Sequence, residues 1–229
     1  MPIIRVIDFE TTGIDPQTSE VCEVGICDVD VEAKESKTVV SFCCNVATAM
    51  PPEARAVHHI NRLEYIDKPL FKPEMIGSDC DVYAAHNADF EMKFFTPSRP
   101  MICTWKAALR VWPDAPSHSN QALRYWLQDQ DKISVDDVLA FPPHRAGPDA
   151  YVTAQIVLAL LEVVTAREMV GWTKEPALLP RCTIGKFRGK PWAEVDAGFL
   201  GWMTRTPDMD YDLVWNAHRE IARRQENKL

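Results

Sequence analysis

The chain has 229 residues, of which 46% are hydrophobic and 25% charged, and its formal net charge is -8. This composition is ordinary for a globular protein with a buried core. The acidic balance argues against a protein that holds nucleic acid by bulk positive charge, although carboxylates that hold a metal ion also count towards it.

Three strands are predicted at the start of the chain. Apolar and β-branched runs cover Ile3–Asp8, Val21–Asp28 and Thr38–Cys43, and a connection rich in Gly, Asp, Pro and Ser separates the first two. This arrangement is typical of an antiparallel meander.

Strands and helices alternate after the meander. We predict a helical region at 52–75, a buried strand at 82–86, a helix at 88–95, a strand at 101–103, and helices at 105–111, 120–128 and 148–166. The last helix has the clearest pattern, because apolar residues recur at helical spacing and Pro148 suits a first turn. The sequence therefore predicts a mixed α/β sheet flanked by helices.

The pattern changes after Ala166. Residues 167–180 contain two prolines and little periodicity, which is typical of a linker. From residue 167 onwards there are 11 Lys/Arg and 9 Asp/Glu, against 14 and 24 before it. We therefore predict a main domain at 1–166, a linker at 167–180 and a small C-terminal module at 181–229.

The cysteines and the apolar segments bear on location. Seven cysteines show no C-x-x-C spacing, which favours free thiols in a reducing cytoplasm. The start of the chain lacks the pattern of a signal peptide, and the longest apolar stretch, 156–164, is too short to span a bilayer. We expect a cytoplasmic protein with no membrane association.

Two acids lie two residues apart at the end of the first predicted strand. Asp8 and Glu10 therefore point to the same side of the sheet. Carboxylates about 5 Å apart repel by roughly 3 kcal/mol at an effective dielectric constant near 20. A divalent cation would turn that repulsion into attraction, although an isolated D-x-E also fits a solvated strand end.

Three further residues have ordinary roles when each is taken alone. Asp89 follows a buried strand, where a helix cap is common. Asp149 suits the first turn of the long helix, and His144 suits a surface loop rich in Pro and Gly.

Together these segments resemble the DEDDh exonucleases, a family with a ribonuclease H-like fold and a site of four acids and a histidine. Its first motif, D-x-E-T-T/T-x-G, matches 8–13, and its third, H-x-A-x-x-D, matches 144–149. Its second, H-N-x-x-F-D or a close variant, matches 86–90, with the acid assigned to Asp89. Three matches in order are far more specific than any one.

The resemblance covers residues 1–166 and predicts a five-stranded mixed sheet. Within the family the chain is similar to the bacterial exonuclease X branch, through segments 56–61, 102–104, 109–113 and 119–123. Segments 184–190 and 198–203 resemble the small C-terminal module of that branch. This similarity favours DNA as the substrate.

The resemblance implies 3′→5′ hydrolysis of DNA by two divalent ions, Mg²⁺ or in its place Mn²⁺, with release of 5′-mononucleotides and a role in DNA repair. It implies four metal ligands and a histidine that accepts a proton from water: Asp8, Glu10, Asp89, Asp149 and His144. It also implies substrate contacts from Thr11, Thr12, His58, His59 and Asn87. For the two adjacent histidines a helix-surface position fits equally well, and for the asparagine a structural hydrogen bond fits better.

Two alternatives stay open at the level of sequence. One is an exonuclease that trims RNA, because the core motifs do not report on contacts to the 2′ position. The other is a nucleic-acid-binding subunit without activity. A basic cluster in the tail, Arg181, Lys186, Arg188 and Lys190, fits contact with a phosphate backbone, although a solvated turn is slightly favoured. The sequence does not identify protein partners.

Overall fold

The fold is taken from a computed structural model that describes residues 2–226. A six-stranded sheet forms its centre, with the order β3-β2-β1-β5-β6 and with β4 also paired to β2. The strands are β1 (Ile3–Thr11), β2 (Val21–Asp30), β3 (Glu35–Ser36), β4 (Val40–Cys43), β5 (Val82–Ala85) and β6 (Met101–Cys103).

The sheet is mixed. β1 pairs antiparallel with β2 and parallel with β5, which in turn pairs parallel with β6. The predicted α/β class and the opening meander are confirmed. The predicted number of five strands is wrong, because the chain after β2 pairs with it twice, at Glu35–Ser36 and again at Val40–Cys43.

Helices cover both faces of this sheet. They are α1 (Pro52–His58), α2 (Arg62–Tyr65), α3 (Ala88–Phe94), α4 (Thr104–Val111), α5 (Asn120–Gln128), α6 (Ala146–Leu161), α7 (Ala166–Thr173), α8 (Ala197–Met203) and α9 (Tyr211–Glu226), with 3₁₀ turns at Pro73–Ile76, Gly185–Phe187 and Trp192–Glu194. The helical region predicted at 52–75 is interrupted, because His59 adopts a left-handed conformation that ends α1 and Asn61 caps a new helix.

The long helix α6 is the core helix of the sheet. It packs on β1 and β2, and most of its side chains are buried. At Gly25 the approach is so close that a β-carbon would lie 1.9 Å from the Ala146 carbonyl oxygen. Among the described residues no single helix is long and apolar enough to cross a membrane. The pair α6 and α7 together has the length and composition of a membrane span, but the two helices are bent by 115° relative to each other.

The region after α6 differs from the predicted linker. Its first half is α7, which packs on β6 and α4, and the Thr173 hydroxyl accepts a 2.7 Å hydrogen bond from the Cys103 N–H. Beyond it, apolar side chains form a separate small core that includes Leu179, Trp192 and Leu200. The last three residues of the predicted C-terminal module, 227–229, lie outside the described residues.

Candidate active site

Three carboxylates converge at the end of β1. Asp8 and Glu10 come from that strand, and Asp149 comes from the first turn of α6. One oxygen of each lies within 4.8 Å of the others. The alternation of a strand places the first two on one face, and the packing of α6 on the sheet adds the third. These three predicted acids are therefore brought together.

Burial and mutual repulsion both disfavour the ionised carboxylates of this cluster. Loss of hydration and the charges of Asp149 and Glu10 raise the pKa of Asp8 well above its usual range. Burial, followed by the charges of Asp149 and Glu23, raises the pKa of Glu10 to about 8. Such a cluster favours a cation, because a divalent ion offsets the repulsion and is bound well by carboxylate oxygens.

Two hydrogen bonds fix the orientation of Asp149. Its Oδ1 accepts from the Gln121 side chain at 2.8 Å, and its Oδ2 accepts from the His144 backbone N–H at 2.9 Å. His144 is exposed and has a left-handed backbone with φ of 59°. The loop that carries the histidine is thus tied to the acid cluster through its backbone, while its ring stays accessible.

A buried ion pair anchors the same loop to the sheet. Arg145 binds the Glu23 carboxylate through two hydrogen bonds and also contacts Glu64 at 3.0 Å. Glu23 lies opposite Glu10 in the register of β1 and β2, so Arg145 compensates a carboxylate that borders the cluster. This pair was not predicted from the sequence, because strand alternation does not fix the register that places Glu23 opposite Glu10.

Asp89, the acid predicted from the second motif, does not join the carboxylate cluster. Asp89 has a side chain that is 57% exposed and forms a 3.0 Å ion pair with Lys106, outside the carboxylate cluster. Two residues further along α3, Glu91 is only 4% exposed, and its charge contributes to the raised pKa of Asp8. Residues two apart on a helix point to nearly opposite sides, which explains why only one of them faces the cluster.

Glu91 is an acid beside the cluster that was not predicted from the sequence. Burial and the charges of Glu10 and Asp89 raise its pKa to about 8, and its Oε2 has no hydrogen-bond partner within residues 2–226. The pattern H-N-x-x-F-D laid over 86–91 ends at Glu91, with Glu in the place of Asp. Helical spacing gives the same answer, since Ala88 and Glu91, three residues apart, are the buried residues of α3.

Thr11 and Thr12 of the first motif, which are predicted to contact substrate, already form hydrogen bonds within the protein. The Thr11 hydroxyl donates to the Gly13 carbonyl at 2.7 Å. The Thr12 N–H donates to the Glu20 carbonyl, and the Thr12 hydroxyl accepts from the Glu20 N–H, both at 2.9 Å. These bonds shape the turn after β1.

The two adjacent histidines have different environments. His58 is buried, its Nδ1 accepts from the Ile60 N–H at 3.0 Å, and burial lowers its pKa. The prediction that it contacts substrate is contradicted, because its ring belongs to the core beside Cys22. His59 is exposed at the end of α1, where a contact with substrate stays a prediction.

A groove is lined jointly by residues at the start of α3 and by C-terminal residues. It has a volume of about 740 Å³, and Asn87, Trp105 and His118 from the sheet domain line it together with Arg181 and Thr183. Asn87 is exposed at the start of α3, and its side chain makes no helix-capping bond. The groove therefore joins the start of α3 to the C-terminal residues.

Comparisons with a family model and with a known protein agree with each other. A model of the family described as exonuclease (RNase_T) matches residues 6–157. The chain is 32% identical over 216 residues to exodeoxyribonuclease 10 of Escherichia coli K12, covering 90% of this chain and 92% of that protein.

A second relative and one solved structure extend this similarity. A PolC-type DNA polymerase III of Thermotoga petrophila is 27% identical over 186 residues, covering 74% of this chain and 12% of that protein. The structure of exonuclease X in complex with 5′ overhanging duplex DNA matches with a TM-score of 0.62 and 29% identity, covering 74% of this chain and 99% of that one.

Proposed function

The chain belongs to the exonuclease family of hydrolases, and we propose that it removes nucleotides one at a time from the 3′ end of DNA, releasing 5′-mononucleotides. The convergence of Asp8, Glu10 and Asp149 within 4.8 Å carries this proposal. Similarity to an exodeoxyribonuclease over 90% of the chain favours DNA over RNA.

The donor set fits hard divalent cations, and we assign Mg²⁺, with Mn²⁺ as a substitute. All the candidate ligands are carboxylates, which both ions accept. Asp8, Glu10 and Asp149 would hold one ion. Glu91, rather than the Asp89 predicted from sequence, would join Asp8 at a second. Bound ions of this kind offset the charge that develops on the phosphoryl group and lower the pKa of water.

His144 is the proposed proton acceptor. Histidine suits proton transfer near neutral pH, and this ring is exposed beside the cluster. The backbone bond from His144 to Asp149 keeps the loop within reach of the acids. The ring can therefore approach a water molecule at the scissile phosphate without unfolding the loop.

A cytoplasmic location and a role in DNA repair complete the proposal. All seven cysteines are free thiols, six of them buried, which suits a reducing compartment. Fractionation of cells that express the tagged protein would test the location.

The test is digestion of a DNA oligonucleotide labelled at its 5′ end, with Mg²⁺ and with a chelator, beside RNA of the same sequence. We expect a Mg²⁺-dependent ladder that shortens from the 3′ end of the DNA. A ladder on RNA alone would instead assign RNA trimming, and binding of both without cleavage would assign a non-catalytic subunit.

Two variants sharpen this test. Asp8→Asn should abolish hydrolysis, while His144→Ala should keep metal and DNA binding and slow turnover by about 100-fold or more. Wild-type turnover in Asp8→Asn would refute the mechanism.

A further inference from the structure

A basic hairpin projects from the C-terminal core. Arg181 pairs with Pro191, the Cys182 N–H donates to the Lys190 carbonyl at 2.9 Å, and the Gly189 N–H donates to the Cys182 carbonyl at 2.8 Å. Gly189 has a φ of 81°, which a residue with a side chain rarely adopts. The segment 181–190 is therefore an ordered turn and not a loose tail.

The hairpin carries four cations and no acid in ten residues: Arg181, Lys186, Arg188 and Lys190. All four are exposed. Lys186 and Lys190 form surface ion pairs with Asp196 and Glu194, and such pairs contribute little to stability. Within residues 2–226, no carboxylate lies within 4.0 Å of the Arg188 guanidinium. This concentration contrasts with the net charge of -8 for the whole chain.

Aromatic rings lie directly beside these cations. Phe187 packs on Phe199 with centroids 5.1 Å apart, and Phe199 packs on Trp202 at 5.0 Å and 37°. Lys186 lies over the Phe187 ring at 4.9 Å. Trp202 is 46% exposed, so one large ring at the end of this row is open to solvent. Cations interleaved with exposed aromatic rings are the combination that binds phosphates and stacks bases.

The groove described above joins this surface to the start of α3, the helix that carries Glu91. Arg181 belongs both to the hairpin and to the lining of the groove, and Asn87, which also lines the groove, directly precedes that helix. A strand whose 3′ end occupies the cluster could follow the groove and reach the hairpin several nucleotides upstream. Negative phosphates would then meet the part of the chain in which cations are concentrated.

We propose that the hairpin 181–190, together with Trp202, is a second nucleic-acid contact that holds the substrate strand upstream of the cleaved end. The proposal builds on the proposed function by giving long substrates a contact that short ones lack. Phosphate contacts and base stacking of this kind do not depend on sequence, so the surface takes nucleic acid without sequence preference.

The test uses the full chain with Lys186→Gln, Arg188→Gln and Lys190→Gln combined. The matched control replaces three exposed cations elsewhere, Arg167, Lys174 and Arg219, with glutamine, so that both triple variants have the same net charge. Binding of a labelled 20-nucleotide strand is measured in chelator by fluorescence anisotropy over a range of salt concentrations. A duplex of the same length is measured in parallel to show which form the surface prefers.

We expect the hairpin variant to bind the 20-nucleotide strand about tenfold or more weakly. Its slope of log K against log salt should be smaller by roughly 2, while the control changes little. Trp202→Ala should weaken binding by about 5- to 100-fold with an unchanged salt slope, because it removes stacking and no charge.

Kinetics separate this proposal from the proposed function. With Mg²⁺, the hairpin variant should hydrolyse a dinucleotide at the wild-type rate and show a raised KM only on the long strand. Wild-type affinity and salt slope in both the hairpin variant and Trp202→Ala would overturn the second contact. Failure of the wild-type protein to hydrolyse any substrate would instead overturn the proposed function, and the binding measurements in chelator would still report on the surface.

Discussion

The guanidinium of Arg145 holds the carboxylate of Glu23 through hydrogen bonds of 3.0 and 2.8 Å, and the Ala146 N–H adds a third at 2.9 Å. The pair joins β2 to the start of α6, so it connects the strand beside Glu10 to the loop of His144. The Glu23 side chain is only 4% exposed, and the charge of Arg145 offsets the energetic cost of burying a carboxylate there.

Arg145→Gln should therefore lower the free energy of unfolding by about 2–4 kcal/mol, since it leaves a buried carboxylate unpaired. Adding Glu23→Gln to that variant should restore part of the loss. Lys34→Gln, which breaks the exposed pair with Glu162, serves as the control and should cost less than about 1 kcal/mol. Urea unfolding in chelator measures the stability of the wild type and of the three variants. Equal stability of Arg145→Gln and of the double variant with Glu23→Gln would contradict the prediction.

The two acids of α3 should respond differently to neutralisation. Glu91→Gln should reduce Mg²⁺ affinity or turnover by at least about 10- to 100-fold, because it removes a carboxylate that faces the cluster. Asp89→Asn should stay near the wild-type rate, because that side chain pairs with Lys106 outside the cluster. Rates as a function of Mg²⁺ concentration distinguish the two, and the reverse order of effects would return the assignment to Asp89.

The stability of the metal-free protein should fall as the pH rises from about 6.5 to 8. Glu10 and Glu91 have folded-state pKa values of about 8, above the ordinary value for Glu. The folded state therefore binds more protons than the unfolded state in this window, and each group contributes up to about 1.4 kcal/mol of loss per pH unit. Histidines whose pKa is lowered by burial, such as His86 at about 4, affect stability mainly below pH 6.5. There they make the stability rise with pH.

Thermal unfolding in chelator at several pH values measures this slope. Glu10→Gln should make it shallower, and saturating Mg²⁺ should remove most of it, because a bound cation keeps the carboxylates ionised. A wild-type stability that rises with pH between 6.5 and 8 in chelator would contradict the electrostatic account of the cluster.

Gly25→Ala should lower both stability and activity. The added β-carbon would lie 1.9 Å from the Ala146 carbonyl oxygen, a backbone atom that cannot move without displacing the start of α6. We expect a loss of about 1–3 kcal/mol or more and a parallel loss of turnover, because that turn carries Asp149.

Gly171→Ala is the matched control for this substitution. No atom lies within 4 Å of a β-carbon at Gly171, which is within α7, so alanine should stabilise the protein by up to about 1 kcal/mol. A Gly25→Ala protein as stable and active as wild type would contradict the close contact between β2 and α6 at Gly25.

The sequence by itself determined the α/β class, the opening meander and the acids at positions 8, 10 and 149. The class, the meander and the shared face of Asp8 and Glu10 depend on local spacing, since residues two apart on a strand share a face. Asp149 was assigned to the site through the resemblance to the DEDDh exonucleases. Helical spacing also held the information that Glu91, and not Asp89, shares the buried face of α3.

Only the tertiary structure decided which groups pair over long distances. Glu23 and Arg145 are 122 positions apart, and their contact depends on the register of β1 and β2 and on the packing of α6. The burial of His58 likewise depends on packing of α1 beside β2. Such contacts arise from how elements pack, and local spacing reports only the face that a residue occupies within its own element.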